Sequence, residues 1–588
     1  MWQLSFCLVK IIVKIKVDKG ARKNMILDRQ TGYPSVDKPW LKYYSEKAIN
    51  SKSFEGNIWK NIYNNVNFLE EVALIYFGKK ISYKELFYQI DVTARAFSRV
   101  GVKAGDIVIL CMPAMPETIY SILALNKLGA TANLLNPLFT EQQLVDRIKE
   151  TEAKVMVVAN EVYDMVKGAM QKTQIETIIT LSAANSLGVI VSLLKKVKKI
   201  EGTTSWNVFI KNGAASSYET ADYLPDNAAI VVYSSGTTGA SKGIQLTNSS
   251  INNTICEGGN IDFEWERQDK WFQTIPIWFS TGICASVLVP LTHGISVILE
   301  PQYDFELFYK HIAKYKPTHS ISATGLYKYL EKNHYNCEAY RNFKYFVCGG
   351  EYITPQTEAK WNRWLSDNSV KQKVHKGYGM CECGGTVTAS AYKCNISGSA
   401  GIPTPHVIVS AFDIDSNEEL KYGERGEIRV YSNCHMKGYY KNQEATDNYF
   451  WTDKEGRKWC CTGDMGYVSD DGNVYISGRI SDSYVSNGET IYLFDIERSV
   501  LNIDEISQCK AVASIVDGKT THICHVVVEP SADVNNVLNR AKKYCVEHLP
   551  KSYIPRLFKV YEGQLPVSLS GKLDILKMRD DLENIVEI

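Results

Sequence analysis

Short apolar runs alternate with amphipathic stretches from about residue 81 to residue 350. Residues 107–112 and 155–158 are typical of buried strands, and 117–128 between them has the apolar spacing of a helix that ends at Gly129. Further strand-like runs occur at 176–181, 228–233, 296–299, 319–321 and 344–347. Strands that alternate with helices favour parallel pairing, because each parallel crossover needs a long connection. The pattern therefore predicts α/β layers built on largely parallel sheets.

The length of the strand-like runs and the residue composition change after this region. Between residues 398 and 475 the strand-like runs are shorter and Gly, Pro, Asn and Asp are frequent, which predicts an antiparallel β subdomain with a hairpin turn at Asp471-Gly472. The segments that follow predict a compact α+β domain. They are a helix at 493–501, strands at 510–516 and 524–529, a helix at 534–548 and a strand at 558–561. We expect a large domain over 25–478 and a small, mobile domain over 479–588.

Two apolar segments raise the question of membranes. Residues 1–24 begin apolar and then carry lysines, the reverse of a secretory signal, so we interpret them as an atypical leader, with Met25 as an alternative start. The charge-free run 283–299 contains Pro290, His293 and Gly294, and we interpret it as buried strand and turn. We expect a cytoplasmic protein.

Charge and cysteine content narrow the partners. The chain has 588 residues and a formal net charge of +1, which argues against a nucleic-acid partner. Most of its 15 cysteines stand alone in apolar runs, as small core residues do in a reducing compartment. The two clusters, Cys381-Glu-Cys383 and Cys460-Cys461, lack the spacing of a zinc site.

A basic segment at 182–199 ends in four clustered lysines after an apolar run. The simpler interpretation is a solvated surface helix. The alternative is a weak contact with a membrane surface, which would suit an apolar substrate.

A Gly/Ser/Thr-rich loop, Tyr233 to Gly243, directly follows the buried strand at 228–233. Backbone N–H groups in such a loop can approach phosphate closely, while hydroxyls and Lys242 add donors and charge. The P-loop pattern fails, because Ser241 precedes Lys242 and Gly243 follows it, and no G-x-G-x-x-G is present. The loop therefore predicts a phosphate site of another kind.

The loop sequence SSGTTGASKG resembles the phosphate-loop motif of the adenylate-forming (AMP-binding) superfamily, which includes acyl-CoA synthetases, nonribosomal peptide synthetase adenylation domains and luciferases. Other segments resemble further motifs of that family in the same order. They are Gly349-Gly350-Glu351, Tyr378-Gly-Met-Cys-Glu382, Thr462-Gly-Asp464, Gly478-Arg-Ile-Ser-Asp482 with Gly488, and Leu565 to Lys572. The resemblance covers about residues 60–580, and a free-standing acyl-CoA synthetase is its nearest member.

The resemblance implies a role for each matching residue. The catalytic set is Lys572, Glu382, Thr238 and Lys242. The nucleotide and cofactor set is Ser234, Ser235, Gly236, Thr237, Thr238, Gly239, Lys242, Gly350, Glu351, Tyr378, Gly379, Asp464, Arg479 and Gly488. Glu382 would bind Mg²⁺, Tyr378 would stack on adenine and Asp464 would bind the ribose. Lys572 would bridge the substrate carboxylate and the α-phosphate, and the Gly488 loop would line the pantetheine channel.

Three positions depart from the family pattern. Cys381 replaces a threonine, Ser481 stands at the hinge in place of Asp or Lys, and Phe279 stands where many acyl-CoA synthetases have His. Amino-acid-activating domains often have Phe followed by Asp there, but Ser280 follows here. Because a buried ammonium without a counter-charge is costly, we favour an acid that lacks an α-amino group.

The sequence thus predicts an ATP-dependent carboxylic acid:CoA ligase that uses ATP, Mg²⁺ and coenzyme A, with fatty acid metabolism as its expected setting. One alternative is a free-standing adenylation enzyme that loads an amino or aryl acid onto a separate carrier protein. Another is a catalytically silent binding protein on the same fold.

Overall fold

The computed structural model describes residues 31–187, 200–234, 241–261, 265–333, 337–391, 393–486, 488–566 and 573–588. The predicted leader at 1–24, residues 188–199 of the basic segment, residues 235–240 of the phosphate loop and Lys572 lie outside the described residues. Among the helices that are described, none is long and apolar enough to cross a membrane.

An eight-stranded sheet carries the strand that leads into the phosphate loop. Its order from edge to edge is Gly438–Tyr439, Gly243–Thr247, Ala228–Tyr233, Thr131–Leu134, Ile107–Cys111, Val155–Ala159, Thr177–Leu181 and Thr204–Ser205. The strands from Ala228–Tyr233 onward are parallel. The first two strands are added antiparallel. The helices of this part are Tyr83–Arg99, Pro116–Leu128, Glu141–Thr151, Asn160–Gln171 and Trp206–Gly213.

A nine-stranded sheet forms the second layer. Its order is Ile402–Pro403, Thr388–Ala389, His375–Tyr378, Tyr345–Gly349, His319–Ala323, Lys270–Gln273, Ser296–Leu299, Val72–Tyr76 and Lys79–Ser82. The central strands are parallel and the edge strands antiparallel. The helices of this part are Ile58–Asn65, Asn248–Gly259, Phe305–Tyr315, Thr324–Lys332 and Pro355–Asp367. The predicted α/β layers with largely parallel sheets are confirmed.

The largest hydrophobic core joins the two sheets. Leu74 and Val297 of the nine-stranded sheet belong to the same buried cluster as Leu110 and Ile230 of the eight-stranded sheet. The helix Pro116–Leu128 also belongs to this core, and every one of its residues except Lys127 is buried. Full burial of such an aliphatic side chain contributes about 1.5–3 kcal/mol, so this shared core fixes the two sheets relative to each other.

The prediction of strand and turn for 283–299 was wrong in its first part. Residues Thr281–Leu288 form a π-helix that continues into the short α-helix Val289–Thr292, and only Ser296–Leu299 is a strand. All residues of 282–292 are buried, and the segment packs against the helices Asn248–Gly259 and Ile58–Asn65. A helix that is buried on every side is apolar on every side, which hides its periodicity.

The predicted β subdomain is a five-stranded antiparallel sheet. Its strands are Ile408–Phe412, Gly426–Tyr431, Phe450–Thr452, Lys458–Val468 and Val474–Arg479, with the helix Gln443–Tyr449 beside them. The last two strands are joined by the predicted hairpin turn at Asp471-Gly472. Gly472 has φ +91°, in the left-handed region that glycine favours.

The C-terminal part has a hydrophobic core of its own, formed by residues from Ile491 to Phe558. It contains the hairpin Ser483–Ser486 and Glu489–Tyr492 and a sheet of Ile506–Val516, Lys519–Val528, Leu557–Tyr561 and Val586–Glu587. Its helices are Leu493–Val500, Val534–His548 and Ile575–Asp580. The domain boundary at 478/479 stays a prediction.

Candidate active site

One large cleft collects most of the predicted site residues that the structure describes. It is lined by Ser234, Lys242, Gly350, Glu351, Tyr378, Gly379, Glu382, Asp464 and Arg479. Ser235, Gly236, Thr237, Thr238, Gly239 and Lys572 lie outside the described residues. The cleft is also lined by Leu565, which precedes Lys572 in the sequence, and by Leu573, which follows it.

A phenol, a carboxylate and a guanidinium form the best-defined group in the cleft. The Tyr378 hydroxyl donates to Asp464 Oδ2 over 2.6 Å, and Arg479 Nε lies 3.0 Å from Asp464 Oδ1. Arg479 Nη1 also donates to the Thr462 carbonyl over 2.8 Å. Asp464 and Arg479 are cross-strand partners on neighbouring strands of the β subdomain, so sheet register sets their distance.

Burial dominates the electrostatics of this group. Burial raises the pKa of Asp464, while the Arg479 guanidinium and the Tyr378 hydrogen bond act against it. Burial also raises the pKa of the Tyr378 phenol well above its ordinary value, and the Asp464 carboxylate adds to that rise. The phenol therefore stays neutral and acts as a donor, and the group offers an aromatic face, an acceptor and a cation.

Glu382 lies in a second group with Tyr439 and Lys242. The Tyr439 hydroxyl donates to Glu382 Oε1 over 2.9 Å, and Lys242 Nζ lies 4.8 Å from the centre of the Tyr439 ring. Burial raises the pKa of the Glu382 carboxyl. The Tyr439 hydrogen bond and the charges of Arg479 and Lys242 oppose that rise.

The donor set around Glu382 fits Mg²⁺. A carboxylate oxygen is the hard ligand that Mg²⁺ prefers, and Mg²⁺ commonly takes one or two protein carboxylates together with substrate phosphates. Within the described residues, no group of three or more His, Cys, Asp or Glu could hold a metal ion. Cys383 and Cys460 do meet, with their sulfurs 3.7 Å apart in a buried core.

The described ends of the phosphate loop meet at the base of the loop. Ser241 Oγ donates to the Ser234 carbonyl over 2.6 Å, and the Lys242 N–H donates to Ser234 Oγ over 3.1 Å. Ser234 N–H returns a bond to the Lys242 carbonyl over 3.1 Å. The strands on either side pair antiparallel, with Tyr233 opposite Gly243. The loop thus leaves and re-enters the sheet at one point, with Lys242 facing the cleft.

The segment after Tyr345–Gly349 is held by protein partners. Glu351 Oε2 accepts from Thr324 Oγ1 over 2.6 Å and from Lys328 Nζ over 2.7 Å. Gly350 has φ +90°, which a residue with a side chain rarely adopts. Glu351 therefore fixes this part of the cleft wall through Thr324 and Lys328.

Gly379 allows a close approach between two backbone segments. A Cβ at this position would lie 1.6 Å from the Gly385 carbonyl oxygen. Only glycine fits there, and the turn it permits connects Tyr378 to the short helix Cys381–Cys383, which carries Glu382.

Gly488 is the described site residue that the structure places apart from the others. It lies at the turn of the hairpin Ser483–Ser486/Glu489–Tyr492, with no neighbouring atom within 4 Å of a Cβ built on it, and it is not among the cleft-lining residues. The three departures Phe279, Cys381 and Ser481 do line the cleft.

Part of the cleft wall is apolar. Its residues are Gly258, Ile261, Trp271, Phe279, Ala285, Val289 and Ile321. None of them carries a charge, and a Cβ on Gly258 would lie 2.7 Å from Val289 Cγ2. Ser280 is fully buried, and its hydroxyl has no hydrogen-bond partner within the described part of the chain.

Sequence reasoning missed Tyr439, Thr324 and Lys328. Tyr439 follows a glycine in Gly438-Tyr-Tyr440, and neither its spacing nor its chemistry marks it as a site residue. Thr324 and Lys328 act through Glu351, and they are one helical turn apart on Thr324–Lys332.

Comparison with known proteins assigns the chain to a protein family. A family model for AMP-binding enzymes matches residues 64–440. The chain belongs to the AMP-binding enzyme family, as its motifs predict.

Several relatives extend this similarity over most of the chain. A long-chain-fatty-acid–CoA ligase of Bacillus subtilis is 24% identical over 562 residues, 91% of this chain and 96% of the relative. A 2-succinylbenzoate–CoA ligase of Bacillus licheniformis is 26% identical over 509 residues, covering 86% and 95%. A 4-coumarate–CoA ligase of Arabidopsis thaliana is 23% identical over 521 residues, covering 86% and 89%.

Solved structures show the same fold. ATP-bound MatB from Rhodopseudomonas palustris matches with a TM-score of 0.76 at 22% identity, covering 89% of this chain and 98% of that one. An anthranilate CoA ligase in complex with anthranoyl-AMP matches with a TM-score of 0.75 at 20% identity, covering 91% and 98%. The predicted fold class, layered α/β with a β subdomain and a small α+β C-terminal part, is therefore confirmed.

Proposed function

We propose that this protein is an ATP-dependent carboxylic acid:CoA ligase. It forms an acyl-adenylate with release of pyrophosphate and then an acyl thioester with coenzyme A. The observation that carries the proposal is the meeting, in one cleft, of the Tyr378–Asp464–Arg479 group with Glu382 and Lys242. The CoA ligases among its relatives support the same reaction.

The first group suits the nucleoside. The Tyr378 ring offers a face for adenine, and the Asp464 carboxylate offers acceptors for the ribose hydroxyls. Arg479 is 55% exposed at its side chain even though it pairs with Asp464, so it can also reach a phosphate. We assign nucleotide binding to these three residues together with Gly350, Glu351 and Gly379.

The second group suits the transfer step. A substrate carboxylate oxygen attacks the α-phosphorus, the bond to pyrophosphate breaks, and both reactants are anions, so the site must supply positive charge. Lys242 supplies one such charge beside the loop that begins at Ser234, with Ser235, Gly236, Thr237, Thr238 and Gly239 as the phosphate cradle. Glu382 would hold Mg²⁺, which neutralises phosphate charge. We assign to Lys572 the cation between the carboxylate and the α-phosphate.

The second step needs a thiol at the same acyl carbon. The thiol sulfur attacks the carbonyl, the thiol proton is lost and AMP leaves. We propose that the small domain, residues 479–588, turns about Ser481 to bring the Gly488 hairpin to the cleft for this step, since Gly488 lies away from it here.

The apolar wall indicates the class of acid. Trp271, Ala285 and Val289 belong to this wall, and all three are buried and uncharged. An α-ammonium or a second carboxylate would lose its hydration there without a counter-charge, at a cost of several kcal/mol. We therefore propose an apolar monocarboxylic acid without an α-amino group.

The test is ATP–pyrophosphate exchange over a panel of fatty, aryl, amino and dicarboxylic acids, with and without CoA. Exchange should be strongest with apolar monocarboxylic acids, and a CoA thioester should form when CoA is present. Asp464→Ala should abolish exchange, and exposed Asp470→Ala in the same subdomain should not.

Each other result has a distinct meaning. Full exchange in Asp464→Ala would contradict the assignment of Asp464 to nucleotide binding. Exchange without thioester formation would favour a separate carrier protein as acceptor. No exchange with any acid would overturn the proposal.

A further inference from the structure

Three residues on one face of the helix Leu493–Val500 and its C-terminal end contact the large domain. They are Asp495, Arg498 and Asn502, spaced three and four residues apart, as neighbours on one side of a helix are. We call these three residues the docking stripe. They contact two separate segments of the large domain, one at Arg425 and one from Tyr352 to Gln356, so together they fix an orientation rather than a single point.

The strongest contact is a two-bond ion pair. Arg425 Nη1 donates to Asp495 Oδ1 over 3.0 Å, and Nη2 donates to Oδ2 over 2.9 Å. The same guanidinium lies 4.9 Å from the Phe494 ring centre and 5.4 Å from that of Tyr492. Arg425 precedes the strand Gly426–Tyr431 of the β subdomain.

The other two contacts reach the wall of the nucleotide site. Arg498 lies over the Tyr352 ring, 4.1 Å from its centre, and Tyr352 directly follows Glu351. Gln356 Nε2 donates to Asn502 Oδ1 over 3.0 Å. The docking stripe therefore binds the segment next to Gly350 and Glu351.

This arrangement places one face of the small domain on the cleft. Leu565, Leu573 and Ile575 line it together with Asp464 and Arg479. Within the described part of the chain, no residue of the hairpin Ser483–Ser486/Glu489–Tyr492 lines the cleft. A rotation of the small domain about Ser481 that brought this hairpin to the cleft would carry Asp495 away from Arg425, because Asp495 lies beyond the hinge and Arg425 before it.

We propose that the docking stripe, and the Arg425–Asp495 pair above all, stabilises the adenylate-forming arrangement against the thioester-forming one. This inference rests on the proposed two-step reaction. Arg425 and Asp495 are positioning residues: they touch no substrate, and they set how often the small domain faces the cleft for the first step.

The size of the effect follows from the geometry. The side chains of Arg425 and Asp495 are 35% and 20% exposed. A pair with two well-aligned bonds at such a site contributes on the order of 1 kcal/mol, which corresponds to about a fivefold change in an equilibrium constant. Each half-reaction rate is proportional to the population of its own arrangement, so the ratio of the two rates changes by that same factor.

The experiment measures both half-reactions in the full chain. Adenylation is followed by ATP–pyrophosphate exchange, and thioester formation by transfer from a supplied acyl-adenylate to CoA. The ratio of transfer to exchange should rise about fivefold in Asp495→Asn and about tenfold in Arg425→Glu, where repulsion replaces attraction. The double variant Arg425→Glu/Asp495→Arg should return the ratio to within about twofold of the wild type.

A matched control breaks a pair inside the small domain. Arg540 Nη1 and Glu505 Oε1 are 2.6 Å apart and both belong to that domain, so Glu505→Gln should leave the ratio unchanged. An unchanged ratio in Arg425→Glu, an equal loss of both half-reactions, or failure of the charge exchange to restore the ratio would each overturn the proposal.

A distance measurement separates this proposal from the proposed function. Dyes introduced at the exposed Tyr88 of the large domain and the exposed Val546 of the small domain report the domain arrangement without substrate. Arg425→Glu should shift the distance distribution, and the charge exchange should restore it. If these shifts occur in a protein without either half-reaction, the docking stripe stands and the ligase proposal fails. If no shift occurs, the docking stripe proposal fails whatever the activity.

Discussion

Tyr439 connects the two charged groups that face the phosphate loop. Its hydroxyl donates to Glu382 while its ring lies under Lys242. Tyr439 itself is buried, on the short strand that pairs with Gly243–Thr247 after the loop. The geometry therefore makes one aromatic residue the support of both a proposed Mg²⁺ ligand and a proposed phosphate ligand.

Tyr439→Phe should lower the rate of ATP–pyrophosphate exchange about 10- to 100-fold at pH 7, since a hydrogen bond to a carboxylate contributes about 1.5–3 kcal/mol. The Tyr439 bond opposes the rise in the pKa of Glu382, so its loss should raise that pKa further. The deficit of the variant relative to the wild type should deepen as the pH falls, because a larger fraction of Glu382 is then protonated. Tyr440→Phe is the matched control, and an equal effect of both variants, or a deficit that does not deepen at low pH, would contradict this role.

The sequence predicted which residues belong to the site, but it did not predict which of them form hydrogen bonds with each other. Motifs such as Thr462-Gly-Asp464 are local, so a resemblance can mark them residue by residue. The bonds between residues are not local: Tyr378 and Asp464 are 86 positions apart, and Glu382 and Tyr439 are 57 apart. Such pairings depend on strand register between separate sheets, which no local pattern contains.

Among the helices and strands, the sequence predicted the half-buried helices and the buried strands. It did not predict the buried helical segment 281–292. Strand 228–233 and helix 534–548 have the predicted bounds. The segment 281–292 is helical although it was predicted as strand and turn. Pro116–Leu128 is also buried nearly all round, but Pro116 at its start and Gly129 after its end mark its limits.

The burial of Pro116–Leu128 has a consequence for its first turn. Glu117 is 3% exposed, and burial raises the pKa of its carboxyl to about 7 against an ordinary value of 4.5. Its Oε1 accepts from Ser186 Oγ over 2.7 Å, while Oε2 has no partner within the described residues. The folded protein therefore holds a proton on Glu117 that the unfolded chain releases at lower pH.

The stability of Glu117→Gln relative to that of the wild type should increase as the pH rises. With a raised folded pKa, the wild type has its full stability below about pH 4.5 and loses part of it as the pH rises to about 7. The loss is on the order of 2–3 kcal/mol, which the neutral amide avoids. Denaturant midpoints of both proteins from pH 5 to 8 measure it, with exposed Glu306→Gln as control. A difference between wild type and Glu117→Gln that stays constant over this range would contradict the prediction.

At the scale of the whole molecule, the site is shared between two parts with separate cores. The large part supplies Lys242, Glu382 and Asp464, while Leu565 and Leu573 of the small part line the same cleft. The compact α+β pattern after residue 478 predicted a separate small part. It did not predict which face of the small part meets the cleft, because that depends on contacts such as Arg425–Asp495, between residues that are distant in sequence.

Lys572→Ala should separate the two half-reactions. Loss of a cation between two anions should lower ATP–pyrophosphate exchange by a factor of about 10²–10³. Transfer from a supplied acyl-adenylate to CoA should stay within about threefold of the wild type, because that step begins after the two anions have been joined. Lys577→Ala is the matched control, since Lys577 carries the same charge nearby and is exposed on the helix Ile575–Asp580. If Lys572→Ala reduced both steps equally, a single arrangement of the small domain would serve both reactions. That result would contradict the proposed rotation about Ser481.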